Sequence, residues 1–140
     1  MQRRTFLTLA ASSLILPGLS FPAMAGERVF YTPGLAEAAM ADGKVVFLDF
    51  WTNWCSTCAT QDRVISDLRA ANPAYDAQIT FITVDWDIYA DSDLSKALKI
   101  PRRSTLVALK GETELGRIVA GTARKEIEAL LDLALAAATA

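Results

Sequence analysis

Two cysteines with two residues between them stand where a predicted strand is followed by a predicted helix. Residues 44–51 form an apolar run rich in β-branched and aromatic side chains, which is typical of a buried central strand. Cys55 and Cys58 come shortly after this run, and a helix is predicted over residues 55–70. The dithiol is therefore expected at the end of a central strand and at the start of a helix, and this placement is the strongest constraint on the fold.

The expected position of Cys55 favours its thiolate form. A helix N-terminus directs unpaired amide groups and a partial positive charge toward the first residues of the helix. The thiolate is the nucleophile of disulfide exchange. Cys58, one helical turn later, can attack the mixed disulfide that Cys55 forms. We therefore interpret the pair as redox-active.

The chain contains no histidine, which excludes several other uses of the cysteines. A Ser-His-Asp triad, a Cys-His protease and a His-ligated zinc or haem site are impossible within these 140 residues. A structural zinc site needs about four ligands, and the two cysteines supply half of them. A purely structural disulfide stays open as an alternative, although it would close too small a loop to constrain the unfolded chain much.

Asp49 is an ionisable residue inside the apolar strand, six positions before Cys55. Burial would raise the pKa of this carboxyl and suit it to proton transfer near neutral pH. The alternative is a strand residue turned toward solvent. Phe50 and Trp51, which follow it, are predicted to belong to the core.

The remaining elements alternate between strands and helices. The order β-α-β-α-β-α-β-β-α indicates one α/β domain, a mixed central sheet flanked by helices on both faces. The predicted strands are 27–31, 44–51, 79–84, 105–109 and 115–120. The predicted helices are 32–41, 55–70 with Ala59, Val64, Ile65 and Leu68 facing inward, 91–98, and a final helix capped by Thr122 with Ile127, Leu130, Leu131 and Ala134 on one face.

Residues 1–25 are predicted to be an export signal, and residues 26–140 the folded domain. Two arginines precede a short apolar stretch, and small residues stand before the expected cleavage at Gly26. The run RRTFL at positions 3–7 resembles the twin-arginine signature. An ordinary secretory signal and an uncleaved anchor are the alternatives. We therefore expect a periplasmic protein, in a compartment where a cysteine pair readily forms a disulfide.

Charge and hydropathy exclude two further classes of protein. The formal net charge is −2, so the chain has too little positive charge to bind nucleic acid by counterion release. No apolar run reaches the roughly 18 residues that a spanning helix needs, which excludes a polytopic membrane protein.

The run VFLDFWTNWCSTC, residues 46–58, resembles the active-site strand and turn of the thioredoxin family. The resemblance extends over about residues 27–137 and implies a thioredoxin fold with no cofactor. We expect a monomer, because the sequence lacks the additional dimerisation domain of a disulfide isomerase. It implies that Cys55 is the attacking thiol and Cys58 the resolving thiol. Asp49 matches the buried carboxylate that handles the proton of the resolving cysteine, and Trp54 would flank the disulfide on the substrate-facing surface.

The loop that would face the dithiol departs from the family pattern, which has a cis-proline there. Aligning Thr105 with the start of the next strand puts Ser104 at the proline position and Arg103 before it. Aligning on Pro101 instead leaves extra residues before the strand. A cis bond before serine costs several kcal/mol, so we expect a trans peptide. We predict that Trp54, Arg103, Ser104 and Thr105 contact substrate, and that Arg103 lowers the pKa of Cys55; Arg103 as solvated surface charge is the alternative.

The predicted function is that of an exported thiol-disulfide oxidoreductase that reduces or relays protein disulfides more than it introduces them. Ser56 and Thr57 between the cysteines match neither the Gly-Pro of thioredoxins nor the Pro-His of strong periplasmic oxidants. An exported reductant implies a membrane thiol reductase as its electron donor. Residues 84–87 weakly resemble the C-terminal domain of such reductases of the DsbD type. The alternatives are a dithiol module for Cu(I) or a bridged cluster, and a non-catalytic holdase.

Overall fold

The computed structural model describes residues 27–140, which are built on a four-stranded sheet. The strands are β1 (Val45–Trp51), β2 (Thr80–Asp85), β3 (Thr105–Lys110) and β4 (Thr113–Val119), in the spatial order β2-β1-β3-β4. β1 is parallel to β2 and antiparallel to β3, and β3 is antiparallel to β4. The sheet is therefore mixed, as predicted, and β1 is an interior strand. The predicted export signal, residues 1–25, lies outside the described residues.

The helices cover both faces of the sheet, because side chains alternate along each buried strand. Val45 and Phe47 of β1 pack in one core, and Val46, Leu48 and Phe50 pack in a second core on the opposite face. The first core is closed by α2 (Ser56–Ala71), α3 (Ala74–Gln78) and α6 (Arg124–Thr139). The second is closed by α1 (Leu35–Ala41) and α5 (Asp93–Ala97), with the short α4 (Trp86–Tyr89) beside it. This arrangement confirms the predicted fold class.

The final helix shows the predicted amphipathic pattern but begins later than expected. Its buried residues are the four that spacing indicated, namely Ile127, Leu130, Leu131 and Ala134. Thr122 does not cap it. The helix begins at Arg124, with Ala123 in the cap position and no side-chain hydrogen bond there.

The prediction of a first strand over residues 27–31 is wrong. This segment forms a single bridge, in which Tyr31 N–H donates to the Thr83 carbonyl and Thr83 N–H donates to the Val29 carbonyl, both at 2.8 Å. The ladder stops there because the chain then turns through Pro33, which has no N–H, and Gly34, whose φ is 94°.

Two short helices were not predicted, and the pattern within α2 differs in detail. α3 follows Pro73, and α4 follows Asp85, whose carboxylate accepts a hydrogen bond from Asp87 N–H at 3.0 Å. On α2, Ile65 and Leu68 are buried as predicted, but Ala59 is exposed. A polar residue, Gln61, is fully buried on this face instead. None of the helices within residues 27–140 combines the length and apolarity that crossing a membrane requires.

The packing of α6 predicts that two leucines of that helix contribute very differently to the free energy of unfolding. Leu131 is fully buried, whereas Leu133 is 54% exposed. We expect Leu131→Ala to lower the free energy of unfolding by about 2–5 kcal/mol because it leaves a cavity. We expect Leu133→Ala, the matched control, to change it by about 0.5 kcal/mol or less. Urea denaturation of both variants measures this, and equal losses would contradict the packing described.

Candidate dithiol site

Cys55 and Cys58 lie at the junction that the sequence predicted. β1 ends at Trp51, α2 begins at Ser56, and Cys55 is the residue that caps the helix. Its Sγ accepts a hydrogen bond from Cys58 N–H at 3.2 Å, so the sulfur takes the place of a capping oxygen. Both thiols are free in this structure. Cys55 retains 7% exposure and Cys58 has none, so Cys55 is the sulfur that an external disulfide can reach.

Ser104 lies against both sulfurs, as the preferred alignment predicts. Its Oγ is 3.2 Å from Cys55 Sγ and 3.1 Å from Cys58 Sγ. All peptide bonds within residues 27–140 are trans, so the bond before Ser104 is trans as expected. Pro101, the residue favoured by the other alignment, is exposed. A hydroxyl therefore stands beside the dithiol where the family resemblance implied a proline ring.

The backbone of Ser104 is held in an uncommon conformation by hydrogen bonds on both sides. Its φ is 62°, which is unfavourable for a residue with a Cβ. Its N–H donates to the Phe50 carbonyl at 2.7 Å, and its carbonyl accepts from Ala120 N–H at 2.8 Å and from Gln61 Nε2 at 3.1 Å. Gln61 Nε2 also donates to the Gly121 carbonyl at 2.9 Å. These bonds fix the Oγ of Ser104 relative to the sulfurs.

Gln61 is thus a site residue that sequence reasoning missed. The available signal was its spacing, because it follows Cys58 by three positions and precedes Ile65 by four, which places all three on one helical face. A glutamine on a buried face needs partners for its amide, and the two carbonyls supply them for Nε2, whereas Oε1 has no hydrogen-bond partner among the described residues.

The surroundings of Cys55 stabilise its thiolate. Burial raises the pKa of this thiol, but hydrogen bonds from the Cys58 thiol, the Ser104 hydroxyl and the Cys58 amide outweigh burial, and the nearby Arg103 guanidinium adds to them. Together they lower the pKa of Cys55 from 9.0 to about 6. The predicted influence of Arg103 on Cys55 is consistent with this direction and stays a prediction.

Cys58 is shifted in the opposite direction. Burial and its hydrogen bond to Cys55 raise the pKa of the Cys58 thiol, while the Ser104 hydroxyl and the Thr52 backbone lower it in part. At neutral pH the pair therefore holds one thiolate, on the accessible sulfur, and one protonated thiol in reserve.

Asp49 is buried on β1, so the alternative of a solvent-facing strand residue is wrong. Burial and the negative charge of Asp62 raise the pKa of this carboxyl, the positive charge of Arg28 opposes both, and the net result is a pKa of about 7. Arg28 is ion-paired with Asp62, and its guanidinium lies 4.6 Å from the centre of the Trp51 ring. Among the described residues, no side chain or amide forms a hydrogen bond with Asp49 Oδ1.

Arg28 and Asp62 line a cavity of about 50 Å³ that reaches Asp49. Arg28 belongs to the segment before α1, and Asp62 belongs to α2, so the fold brings together charges that are far apart in the sequence. No pattern in the sequence associates them with Asp49. The catalytic role of Asp49 itself stays a prediction.

Trp54 and Arg103 lie together on the surface beside Cys55. Trp54 is 59% exposed, and the Arg103 guanidinium carbon is 4.3 Å from the centre of its ring. The indole N–H donates to an Asp87 carboxylate oxygen at 2.8 Å, so Asp87 is a second neighbour that sequence reasoning missed. Both predicted residues are in a position to contact substrate.

Ser104, which is fully buried against both sulfurs, does not fit the predicted contact with substrate, and neither does Thr105. The side chain of Thr105 is fully buried at the start of β3, and its hydroxyl donates to the Arg102 carbonyl at 2.8 Å. It supports the loop that carries Arg103 and Ser104. Residues 27–140 hold no group of three or more Cys, Asp or Glu side chains placed to bind a metal ion.

Comparison with known sequences decides the family. The sequence model of the Thioredoxin family matches residues 34–133, which include every site residue described above except Arg28. The chain belongs to the thioredoxin family. The matched range also contains all four strands of the sheet.

Relatives and solved structures of this thioredoxin-family protein agree with that assignment. It is 30% identical to Thioredoxin H4-2 of Oryza sativa over 69% of this chain and 70% of that protein. It is 33% identical to a thioredoxin of Coprinus comatus over 67% of this chain and 84% of that protein. Its structure resembles Trxlp from Edwardsiella tarda with a TM-score of 0.62, 25% identity, and coverage of 73% of this chain and 97% of that one.

The environment of Asp49 predicts an unusual dependence of stability on pH. The pKa of Asp49 is about 7 in the folded protein against 3.8 for the free carboxyl, so the folded state binds this proton more tightly. This contribution to the free energy of unfolding is complete below about pH 4 and is lost as pH rises through 7. The difference of roughly three pH units corresponds to at most about 4 kcal/mol.

We therefore expect Asp49→Asn to be more stable than the parent protein at pH 8 and similar to it at pH 4. Urea denaturation at a series of pH values measures this. Asp67→Asn, which changes an exposed carboxylate of α2, is the matched control and should follow the parent protein throughout. A parallel pH profile for Asp49→Asn and the parent would contradict the raised pKa of Asp49.

Proposed function

We propose that this thioredoxin-family protein is a periplasmic thiol-disulfide oxidoreductase that reduces or relays protein disulfides. The observation that carries the proposal is the asymmetry of the dithiol. Cys55 is accessible and has a pKa of about 6, whereas Cys58 is fully buried and its pKa is raised. Such a pair suits two successive exchange steps. The accessible sulfur attacks the substrate disulfide first, and the buried sulfur then attacks the mixed disulfide.

In the first step the Cys55 thiolate attacks a substrate disulfide. A bond forms between Cys55 Sγ and one substrate sulfur, the substrate disulfide breaks, and the other substrate sulfur leaves as a thiolate that takes a proton. In the second step Cys58 loses its proton and attacks Cys55 Sγ. The intramolecular disulfide forms, the second substrate sulfur leaves, and the substrate gains the two electrons that the dithiol loses.

Asp49 is the proposed acceptor of the Cys58 proton. Its pKa of about 7 makes about half of these carboxyls anionic at neutral pH, so the group can both take up and release a proton there. Trp54 and Arg103 form the surface against which the substrate docks. A membrane thiol reductase would return the two electrons, since an exported reductant needs a donor. The periplasmic location rests on the predicted export signal.

Replacement of each cysteine is expected to cause a different defect in disulfide reduction. Cys55→Ser should lose essentially all activity in reduction of insulin disulfides, because the attacking thiolate is gone. Cys58→Ser should still react once and should accumulate a mixed disulfide with insulin, visible by mass spectrometry and reversed by dithiothreitol. Full activity in Cys55→Ser would show that the dithiol is not the active group.

The direction of transfer predicts an intermediate reduction potential. A stabilised thiolate favours the reduced form, and a Cys55 pKa of about 6 lies between the roughly 7 of thioredoxin and the roughly 3.5 of a strong oxidant. We expect a potential between about −270 mV and about −120 mV, closer to the first value. Equilibration with a dithiol buffer and counting of free thiols measures it. A value near −120 mV would reverse the proposed direction.

A further inference from the structure

The position of the Ser104 hydroxyl has a use beyond lowering the pKa of Cys55. Its Oγ is almost equidistant from the two sulfurs, at 3.2 Å from Cys55 and 3.1 Å from Cys58. A hydroxyl has one hydrogen, which rotates freely about the C–O bond, so it donates to one sulfur at a time. A change of partner therefore needs rotation of one hydrogen and no movement of the oxygen.

The oxygen itself is fixed. Ser104 is fully buried, and hydrogen bonds to Phe50, Ala120 and Gln61 hold its backbone on both sides. A residue with a Cβ at a φ of 62° persists only where its surroundings enforce that conformation. These contacts hold the Ser104 hydroxyl so that its hydrogen can point to either of two buried sulfurs.

Negative charge moves from one sulfur to the other during the proposed reaction. In the reduced protein the charge is on Cys55, where the Cys58 amide, the Cys58 thiol and Arg103 also stabilise it. Once Cys55 is joined to substrate its sulfur is neutral, and the charge must form on Cys58. That sulfur is fully buried, and an anion without donors is costly there.

Fewer groups are available to stabilise a charge on Cys58. Cys58 no longer has the Cys55 thiol as a partner in the mixed disulfide, and Arg103 is on the side of Cys55. The backbone of Thr52 and the Ser104 hydroxyl are the polar groups that favour the anion of Cys58. Asp49, the proposed acceptor of the Cys58 proton, is neutral once it has taken that proton and supplies no positive charge to stabilise the anion.

We propose that the Ser104 hydroxyl follows the charge, donating to the Cys55 thiolate in the reduced protein and to the Cys58 thiolate in the mixed disulfide. Ser104 is thus a positioning residue for both steps of the exchange, and this inference rests on the function proposed above. It transfers no proton itself, because the hydrogen stays on its oxygen while the hydroxyl rotates.

The test separates the two steps with 5,5′-dithiobis(2-nitrobenzoate) as the disulfide, using the full chain in stopped-flow measurements. Cys55 attacks the reagent and releases one thionitrobenzoate, and Cys58 then displaces the second from Cys55. The first phase depends on reagent concentration, whereas the second does not. The pH midpoint of the first phase reports the pKa of Cys55.

We expect Ser104→Ala to change both phases. The midpoint of the first phase should move to higher pH, and the second phase at pH 7 should slow about tenfold, which is the scale of one hydrogen bond to a charged group. Arg103→Ala should move the first midpoint and leave the second phase within about twofold. Ser95→Ala removes another buried hydroxyl, which belongs to α5 and donates to the Tyr89 carbonyl, and should leave both phases unchanged.

Ser104→Gly guards against a folding defect in the alanine variant, because glycine adopts the φ of 62° without strain and also lacks the hydroxyl. A second phase within twofold of the parent rate, in whichever of these two variants is folded by circular dichroism, would overturn the inference. Absence of a second phase in the parent protein would instead contradict the proposed function. Failure of this inference and failure of the proposed function are therefore distinguishable.

Discussion

The hydrogen bond from Ser104 N–H to the Phe50 carbonyl, 2.7 Å long, joins the loop before β3 to the end of β1. β1 leads directly into the turn that carries Cys55, so this bond sets the distance between that loop and the dithiol. Gln61 and the backbone at Ala120 hold the same loop from α2 and from the end of β4. The position of the Ser104 hydroxyl against the two sulfurs depends on this convergence of β1, α2 and the end of β4 on one serine.

Burial and neighbouring groups give Cys55 and Asp49 different protonation behaviour. Cys55 is surrounded by donors, and its pKa falls to about 6, whereas Asp49 has the anionic Asp62 nearby and a pKa of about 7. Two groups that differ by several pH units when free are thus brought close together around neutral pH. At neutral pH Cys55 is therefore ready to attack as a thiolate, and Asp49 can still take up or release a proton.

The sequence predicted the parts of this arrangement that local patterns encode. The apolar strand, the helix that follows it, the buried face of α6 and the burial of Asp49 all follow from periodicity and residue type. The orientation of Ser104 toward the sulfurs followed from an alignment choice at one loop. Gln61, Asp87 and the Arg28–Asp62 pair were out of reach, because their contacts span 33 to 60 positions of sequence and depend on how the elements pack. The prediction that Thr105 contacts substrate was wrong for a different reason. A residue next to a site residue in the sequence need not reach the surface.

Arg28 gives the beginning of the domain a chemical role. Its guanidinium pairs with Asp62 and opposes the rise in the pKa of Asp49, yet it is held by a single bridge between the chain and β2. If the leader is removed before Gly26, Arg28 becomes the third residue of the mature chain. A mature chain trimmed past Arg28 would lose the charge that opposes the raised pKa of Asp49, so the exact start of the mature protein bears on the ionisation of a carboxyl buried in the central sheet.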